Sequence, residues 1–550
     1  MQPLSRQSSG QSSQDSYPSS CPSPELSRQS SQTSSSSSYT SSEHGLYQQL
    51  KRRLKEGGDT NAFSFLPRDA IDEIITSKIV EAQSSWYDRF KGRSSWYGFL
   101  ADISFWNGLI NYSRSDQVVE QAKGMLAILG LCEKENDMWN LFGDGLTDGH
   151  LPLELRLKGY SNVLVSRQGQ EFRSFLNWGN VQREVFFNKQ WLVLAPVFKT
   201  RGQHISVDGH VPLPFYGVEM LSHSATSTIS KGWLHAAHLM PKAENDPQIA
   251  IKSYVMEEDF KREKDNLEVT KVLNHPHLIR HIATVKQGNV FYVILYWADG
   301  GNLTDFWMKY PKVSRTQRPK PLWCFQQMLG LVEALFALHG EGCRHGDLKP
   351  ENILHFQNSD DPEIRHSQYG TLVMADVGIS RVHHTVTELR HDPTKTYATT
   401  RSYEGPEAET ETNKPRSRRY DMWSAGCIFM EFAIWLLYGC KAIDAFRERR
   451  KVFSQKAAYY KCTEHTAEIN PAVTAGFDAL RNDARCAGLT DLVNLITKDL
   501  IVIDPKERAK AGDLRDKFKE IMRKADKDPG YLTDGIESPS SIPAVFAPPG

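Results

Sequence analysis

The hydrophobic pattern of this chain changes character at about residue 212. From there to about 297 it runs in short strand-like stretches separated by turns, such as Gln248-Ile249-Ala250-Ile251-Lys252 and Val290-Phe291-Tyr292-Val293-Ile294-Leu295. Helical patterns then dominate to about 525. Period-two and period-3.6 patterns cannot exchange roles within one fold, because each dictates which side chains share a face. A small sheet followed by a larger helical block, with a hinge between them, therefore predicts a two-lobed α+β architecture.

The helical block contains His345-Gly346-Asp347-Leu348-Lys349-Pro350-Glu351-Asn352, with an Asp two residues before a Lys and five before an Asn. That spacing suits phosphoryl transfer. The Asp can accept a hydroxyl proton, the Lys can steady the moving phosphate, and the Asn can hold Mg²⁺. Around it lie Ile249-Ala250-Ile251-Lys252, Met374-Ala375-Asp376-Val377-Gly378, Gly405-Pro406-Glu407, Asp421-Met422-Trp423-Ser424-Ala425-Gly426 and Asp504-Pro505-Lys506-Glu507-Arg508.

In order and content these motifs resemble the eukaryotic protein kinase family, over residues 212–525. The resemblance implies a bilobal protein kinase fold, with a small β-rich N-lobe and a larger helical C-lobe. It implies ATP and Mg²⁺ as cofactors and proteins bearing Ser or Thr as substrates, Lys349 favouring Ser/Thr over Tyr. Asp347 becomes the catalytic base and Lys349 the phosphate-steadying cation. Asn352 and Asp376 become Mg²⁺ ligands, and Lys252 contacts the α- and β-phosphates. An acid from the following helix should position Lys252. Counting from Phe260 selects Glu263, whereas counting back from Asn274-His275-Pro276 falls nearer Asn266, with Glu268 the closest acid; Glu263 is preferred. Backbone groups at Tyr296, Trp297 and Ala298 are expected to bind adenine, with Leu295 behind the pocket and Asn302 on the nucleotide side. Glu407 with Arg508, and Asp421 beneath the catalytic loop, are expected to be structural. Trp297-Ala298-Asp299-Gly300-Gly301-Asn302-Leu303 and Trp435-Leu436-Leu437-Tyr438-Gly439 also resemble filamentous-fungal Ser/Thr kinases with an N-terminal extension.

Two departures stand out. By position the Gly-rich phosphate loop is Ser222-His223-Ser224-Ala225-Thr226-Ser227-Thr228-Ile229, with Ser222, Ser224 and Ser227 in the glycine places. Ser forced into a left-handed conformation costs roughly 1–2 kcal/mol per residue, enough to weaken ATP binding about tenfold. Gly346 stands where most of the family carries Arg. Without that cation, activity is expected not to require phosphate on the activation segment, although Thr394, Thr396 and Thr399 remain available there. Two rival readings follow. An aminoglycoside- or choline-kinase-like phosphotransferase shares H-G-D-x-x-x-x-N, but Lys349, Gly405-Pro406-Glu407, Asp421 and Arg508 oppose it. A pseudokinase scaffold or nucleotide-binding signalling adaptor fits the serine loop, but has no chemical need for Lys252, Asp347, Asn352 and Asp376 together.

Composition adds limits. With 66 basic and 66 acidic residues the formal charge is zero, which gives no electrostatic reason to expect nucleic acid or a membrane surface as partner. The eight cysteines form no C-x-x-C pair, so the reducing cytoplasm is the expected compartment, with nuclear entry left open. The polar N-terminus lacks the look of a signal peptide. Gly426 to Gly439 is too short to span a bilayer and reads as a buried helix.

Residues 1–44 are nearly half Ser and are expected to be disordered. Residues 45–205 are expected to form a mostly helical N-terminal region, a possible site for a regulatory partner. In it Asp69 is the expected N-cap of a helix bearing Ile71, Ile74 and Ile75, and a second helix is expected over Val118 to Leu131. Trp86, Tyr87, Phe90, Trp96, Tyr97, Phe105 and Trp106 read as core, and Leu192 to Phe198 as a buried strand or connector. The Ser- and Pro-rich tail, 526–550, is expected to be disordered.

Overall fold

A computed structural model describes residues 45–57, 64–82, 115–199, 202–224, 226–310, 321–358, 360–361, 364, 367–377, 401–411, 416–463, 466–483, 485–532 and 541–548. The Ser-rich segment 1–44, the aromatic run from Trp86 to Trp106 and the activation-segment threonines lie outside these residues.

The N-terminal region holds α1 (Leu46–Arg53), α2 (Arg68–Ile74), α3 (77–82), α4 (115–121), α5 (Lys123–Leu131), α6 (Met138–Gly143), the hairpin β1 (Glu154–Lys158) and β2 (Ser161–Val165), α7 (Asn180–Gln190), β3 (Phe198–Lys199) and β4 (Gln203–Val207). Two local expectations need correction. Pro67, not Asp69, occupies the N-cap of α2; Asp69 sits inside the first turn and accepts the N–H of Ala70. The single helix expected over 118–131 is broken at Ala122, whose φ/ψ of −146°/28° is not helical. The cause is remote in sequence. The Asp148 carboxylate accepts the N–H groups of Gly124 and Met125 at 2.8 and 2.7 Å and so caps a fresh helix start. Residues 192–198 form a connector that ends in β3.

The N-lobe follows: β5 (Phe215–His223), β6 (Ser227–Leu234), β7 (Leu239–Met240), β8 (Gln248–Tyr254), α8 (Glu257–Leu273), β9 (His281–Gln287) and β10 (Val290–Tyr296). The main sheet has six strands in the order β4-β9-β10-β8-β6-β5. All neighbours are antiparallel except β4, which runs parallel to β9 with Gln203 opposite Ala283 and Val207 opposite Gln287. The boundary expected at 205 therefore falls inside a strand. The N-terminal region is hydrogen-bonded into the N-lobe, and Leu46–Gly550 packs as one compact unit.

The C-lobe contains α9 (Leu303–Lys309), α10 (Pro321–Gly340), the hairpin β11 (Ile353–Phe356) and β12 (Thr371–Met374), α11 (Glu407–Thr410), α12 (Arg419–Tyr438), α13 (Cys440–Lys451), β13 (Tyr460–Cys462), β14 (Ala467–Ile469), α14 (Pro471–Asn482), α15 (Ala487–Leu495) and α16 (Ala511–Lys527). The expected bilobal α+β arrangement is present, with separate buried clusters for the C-lobe, the N-terminal region and the N-lobe. Every residue of α12 from Tyr420 to Tyr438 is buried, which accounts for the apolar run at Gly426. Among the described residues, α10 alone is long and apolar enough to cross a membrane; it packs instead in the C-lobe core.

The C-terminal tail also departs from expectation. α16 runs to Lys527, a short 3₁₀ turn covers Pro529–Leu532, and Phe546 is fully buried against Tyr438 and Phe446 at 5.3 and 5.5 Å between ring centroids. Burying this ring is worth about 2–3 kcal/mol, and Val545 packs beside it against the same core.

Candidate active site

Strand alternation sets the first half of the site. Ile249 and Ile251 of β8 point into the N-lobe core, which turns Ala250 and Lys252 to the other face. Lys252 lies in register with Ile229 on β6 and Val293 on β10. Its Nζ is 2.8 Å from Asp376 Oδ1 and 3.5 Å from Glu263 Oε1. Burial works against the charged ammonium, but the Glu263 and Asp376 carboxylates outweigh it and hold the Lys252 pKa well above its usual value. Burial opposes charge on Asp376 too, yet the adjoining Lys252 keeps its pKa low. Glu263 is the more distant acid, and burial pushes its pKa up. Of the acids weighed above, Glu263 is the one brought to Lys252, while Glu268 pairs with Lys271 on the same helix.

The second half rests on a buried carboxylate. Asp421, near the start of α12, accepts the backbone N–H of His345 at 2.8 Å and of Gly346 at 2.9 Å, and contacts His339 Nε2 at 2.9 Å. Burial would raise its pKa, but these donors, His339 first, hold it low. Gly346 has φ = +81°. This is the left-handed region, where a Cβ is disfavoured. Above this anchor Lys349 Nζ lies 2.8 Å from Asp347 Oδ2, and Asn352 Nδ2 donates to the Asp347 carbonyl and to Oδ2 at 2.7 and 3.0 Å. The Asp347 side chain stays 44% exposed while that of Lys349 is 10% exposed. The loop thus presents its carboxylate outward. His345 is fully buried, and that burial depresses its pKa.

The β11–β12 hairpin joins the halves. Ile353 pairs with Met374, and Ala375 donates to the Asn352 carbonyl at 2.8 Å, which places Asn352 and Asp376 at the same end of the ladder. Asn352 Nδ2 is committed to Asp347, so its side-chain oxygen is the atom left for a ligand. One carboxylate and one amide oxygen fit Mg²⁺, a hard cation that takes few protein ligands and fills its shell with water and phosphate oxygens.

The hinge is partly committed. Trp297 donates its N–H to Gln248 O at 3.0 Å, and the Ala298 carbonyl accepts from Gly301 at 3.1 Å. Tyr296 is a strand residue opposite Ile249. That leaves the Ala298 N–H as the hinge donor without a partner among the described residues. Lys231 of β6 places its ammonium 4.8 Å from the centre of the Trp297 ring. Asn302 is drawn to another task. Its side chain accepts the N–H groups of Thr304 and Asp305 at 2.9 and 3.1 Å and caps α9.

The serine loop is a tight exposed hairpin that bonds to itself. Ser224 N–H and Oγ both donate to Ser227 O, at 2.8 and 2.9 Å, and Ser227 N–H donates to Ser224 Oγ at 3.1 Å. Ser222, Ser224 and Ser227 all keep negative φ; the described non-glycine residues with positive φ are Glu133, Asn274, Asp376 and Ala457. The left-handed strain expected of these three serines is therefore not incurred, and Ser224 and Ser227 bond to each other instead.

Structural contacts brace the C-lobe. Arg508 and Glu407 form a buried two-pronged pair at 2.7 and 2.8 Å. Sequence reasoning missed the network around Glu431, which accepts from Tyr403, Tyr459 and Arg450 at 2.7, 3.0 and 3.2 Å with both Glu431 and Arg450 fully buried. The signal was present as a lone acid in an apolar run, since a buried carboxylate demands partners. The network ties Tyr403, at the end of the activation segment, to α12.

A family profile described as the protein kinase domain matches residues 226–517, more than half of the chain. Among curated proteins the chain is similar to a probable myosin light chain kinase of Dictyostelium discoideum, 28% identical over 48% of this chain and 57% of the relative. It is similar to a calcium/calmodulin-dependent protein kinase type 1 of Macrobrachium nipponense, 29% identical over 34% of this chain and 50% of the relative. It also resembles the serine/threonine-protein kinase cds1 of Schizosaccharomyces pombe, 30% identical over 31% of this chain and 33% of the relative. In each case the match spans less than two thirds of the relative's own length. The domain match, laid on a cleft in which Lys252, Asp376, Asn352 and Asp347 converge, leaves one assignment: the chain belongs to the protein kinase family.

Proposed function

We propose that the chain is a Ser/Thr protein kinase that transfers the γ-phosphate of ATP to protein hydroxyls, with Asp347 as catalytic base. One observation carries the reading. Lys252 is held charged by two acids on one side of the cleft, while Asp347, Lys349 and Asn352 form a hydrogen-bonded cluster on a loop anchored by Asp421.

In the reaction, Asp347 takes the proton of the substrate hydroxyl as its oxygen bonds to the γ-phosphorus and the bond to the β–γ bridging oxygen breaks, which leaves ADP. Lys349 offsets charge gathering on the transferred group. Lys252 exchanges its carboxylate contacts in part for the α- and β-phosphates, and the Ala298 N–H donates to adenine. Asp376 and Asn352 would hold Mg²⁺, whose charge neutralises the phosphate oxygens.

Phosphate on the activation segment is not required. Gly346 supplies no cation beside Asp347, and the nearby Arg344 is turned away, donating to the Arg416 carbonyl at 2.6 Å beside the Tyr420 ring. The test is γ-labelled ATP with a generic Ser/Thr substrate, before and after phosphatase treatment of the enzyme. Label on Ser and Thr at a similar rate in both supports the reading. Complete loss after phosphatase removes the phosphate-independence, and label on Tyr alone removes the Ser/Thr specificity.

A second reading, a pseudokinase scaffold or nucleotide-binding signalling adaptor, draws on the self-bonded serine hairpin, whose Ser224 and Ser227 backbone N–H groups are already occupied. Mg·ATP binding without transfer to any protein substrate would favour it.

A further inference from the structure

We propose that residues 202–207 of the N-terminal region form a positioning element for Glu263, acting through α8 from the side of the sheet remote from the nucleotide. The proposal rests on the protein kinase reading of the Lys252 site and adds what places Glu263 beside it.

Glu263 stands 3.5 Å from Lys252, against 2.8 Å for Asp376. A contact that long does not fix the helix that carries it, so α8 must be placed by its packing. Two contacts come from the segment in question. At the C-terminal end, Lys271 Nζ donates to the Gly202 carbonyl at 2.9 Å. One turn before Glu263, the buried Phe260 lies 6.1 Å from the His204 ring and is stacked on Phe291 of β10 at 5.0 Å. His204 is itself held by Thr284 of β9 through a 3.0 Å contact. β9 follows α8 in the chain, and β4 pairs with it over five residues. The segment therefore touches α8 at both ends and the strand after it.

The approach is built for closeness. Gly202 has φ = +68°, and a Cβ there would sit 2.7 Å from the His281 ring. Only glycine lets the chain turn into β4 while bringing its carbonyl to Lys271. A strand added merely for stability needs the ladder but not the carbonyl contact to the helix. A positioning strand needs both.

The experiment uses the full chain with Lys271→Met, which removes the donor but keeps the stem, Lys271→Arg, which restores a donor, and Gly202→Val. Hydrogen exchange at α8 amides from Glu263 to Leu273, thermal midpoint, and the ATP-saturated rate are read together. Lys271→Met is expected to speed α8 exchange about tenfold, the opening expected from losing the charge-assisted bond to Gly202 together with the weaker pair to Glu268. The saturated rate should fall by a similar factor with little change in midpoint, and Lys271→Arg should recover both. Gly202→Val should do the same or more. Exchange in α8 equal to wild type in Lys271→Met overturns the proposal, as does a lowered midpoint in Gly202→Val with unchanged α8 exchange and rate. If Gly202→Val does not fold, Glu268→Gln, which removes only the pair within α8, decides: α8 exchange as fast as in Lys271→Met overturns the proposal. If wild type transfers no phosphate, the kinase reading fails while the exchange result still decides whether β4 holds α8.

Discussion

The two sides of the cleft are secured by opposite means. The catalytic loop is anchored from beneath: Asp421, fully buried on a helix that is itself buried along its length, gathers two backbone N–H groups and a histidine. The nucleotide side is secured from outside. Its serine hairpin is exposed and bonded to itself, and its sheet is completed at the far edge by a strand from the N-terminal region. The catalytic loop is thus tied to the core of the C-lobe, whereas the far edge of the nucleotide-side sheet is tied to a strand from the N-terminal region.

The sharpest way to break this contrast is Asp421→Ala. It leaves the His345 and Gly346 N–H groups without their acceptor in a dry site, and removing one partner of a buried charged network costs about 3–5 kcal/mol. Denaturant unfolding should show that loss together with a collapse of phosphoryl transfer. Gly346→Ala attacks the same loop more gently. At φ = +81° a Cβ costs roughly 1–2 kcal/mol, and the rate should fall while the Michaelis constant for ATP stays nearly constant.

The nucleotide side should respond to acid through its outer support. His238 accepts the Arg68 N–H on Nε2 at 3.2 Å and donates from Nδ1 to Pro196 O at 2.9 Å, so it is neutral. Burial lowers its pKa to about 4. A depressed folded-state pKa means the unfolded chain takes up the proton first. The stability is present above about 6.5 and is lost as the pH falls toward about 4, amounting to about 1–2 kcal/mol between pH 7 and 5. Thermal midpoints of wild type and His238→Gln across that range check this, and the variant should show the shallower slope. The smallest effect belongs to the hairpin. Because the three serines carry no left-handed strain, replacing Ser222, Ser224 and Ser227 with Gly should change the Michaelis constant for ATP by less than about threefold. A tenfold improvement would mean the serines do obstruct phosphate after all.

How much of this was legible in the sequence follows from the range of each interaction. Asp347, Lys349 and Asn352 lie within six residues of one another, so their spacing carries their geometry, and the β11–β12 hairpin needs only local pairing to bring Asp376 alongside. The break at Ala122 was not legible, because it is imposed by Asp148 from another part of the chain. Nor was the membership of β4 in the main sheet, since parallel pairing with β9 joins positions about eighty residues apart. Phe546 was hidden for a different reason: a Pro- and Ser-rich composition argues against order, and carries no sign that Phe546 and Val545 pack on the C-lobe core. Glycine-loop strain was misjudged because residue identity was read as dihedral angle, whereas Ser222, Ser224 and Ser227 keep negative φ.

The most direct test of the catalytic assignment is the rate of transfer from γ-labelled ATP to a generic Ser/Thr protein substrate by wild type and by Asp347→Asn. Asn keeps the side-chain shape but cannot take the proton. The expected result is robust transfer by wild type and a loss of about 10²–10⁴-fold in the variant, with Mg·ATP binding retained in both. Equal signal from the two proteins would contradict the assignment of Asp347 as base and, with it, the reading of the chain as a working kinase.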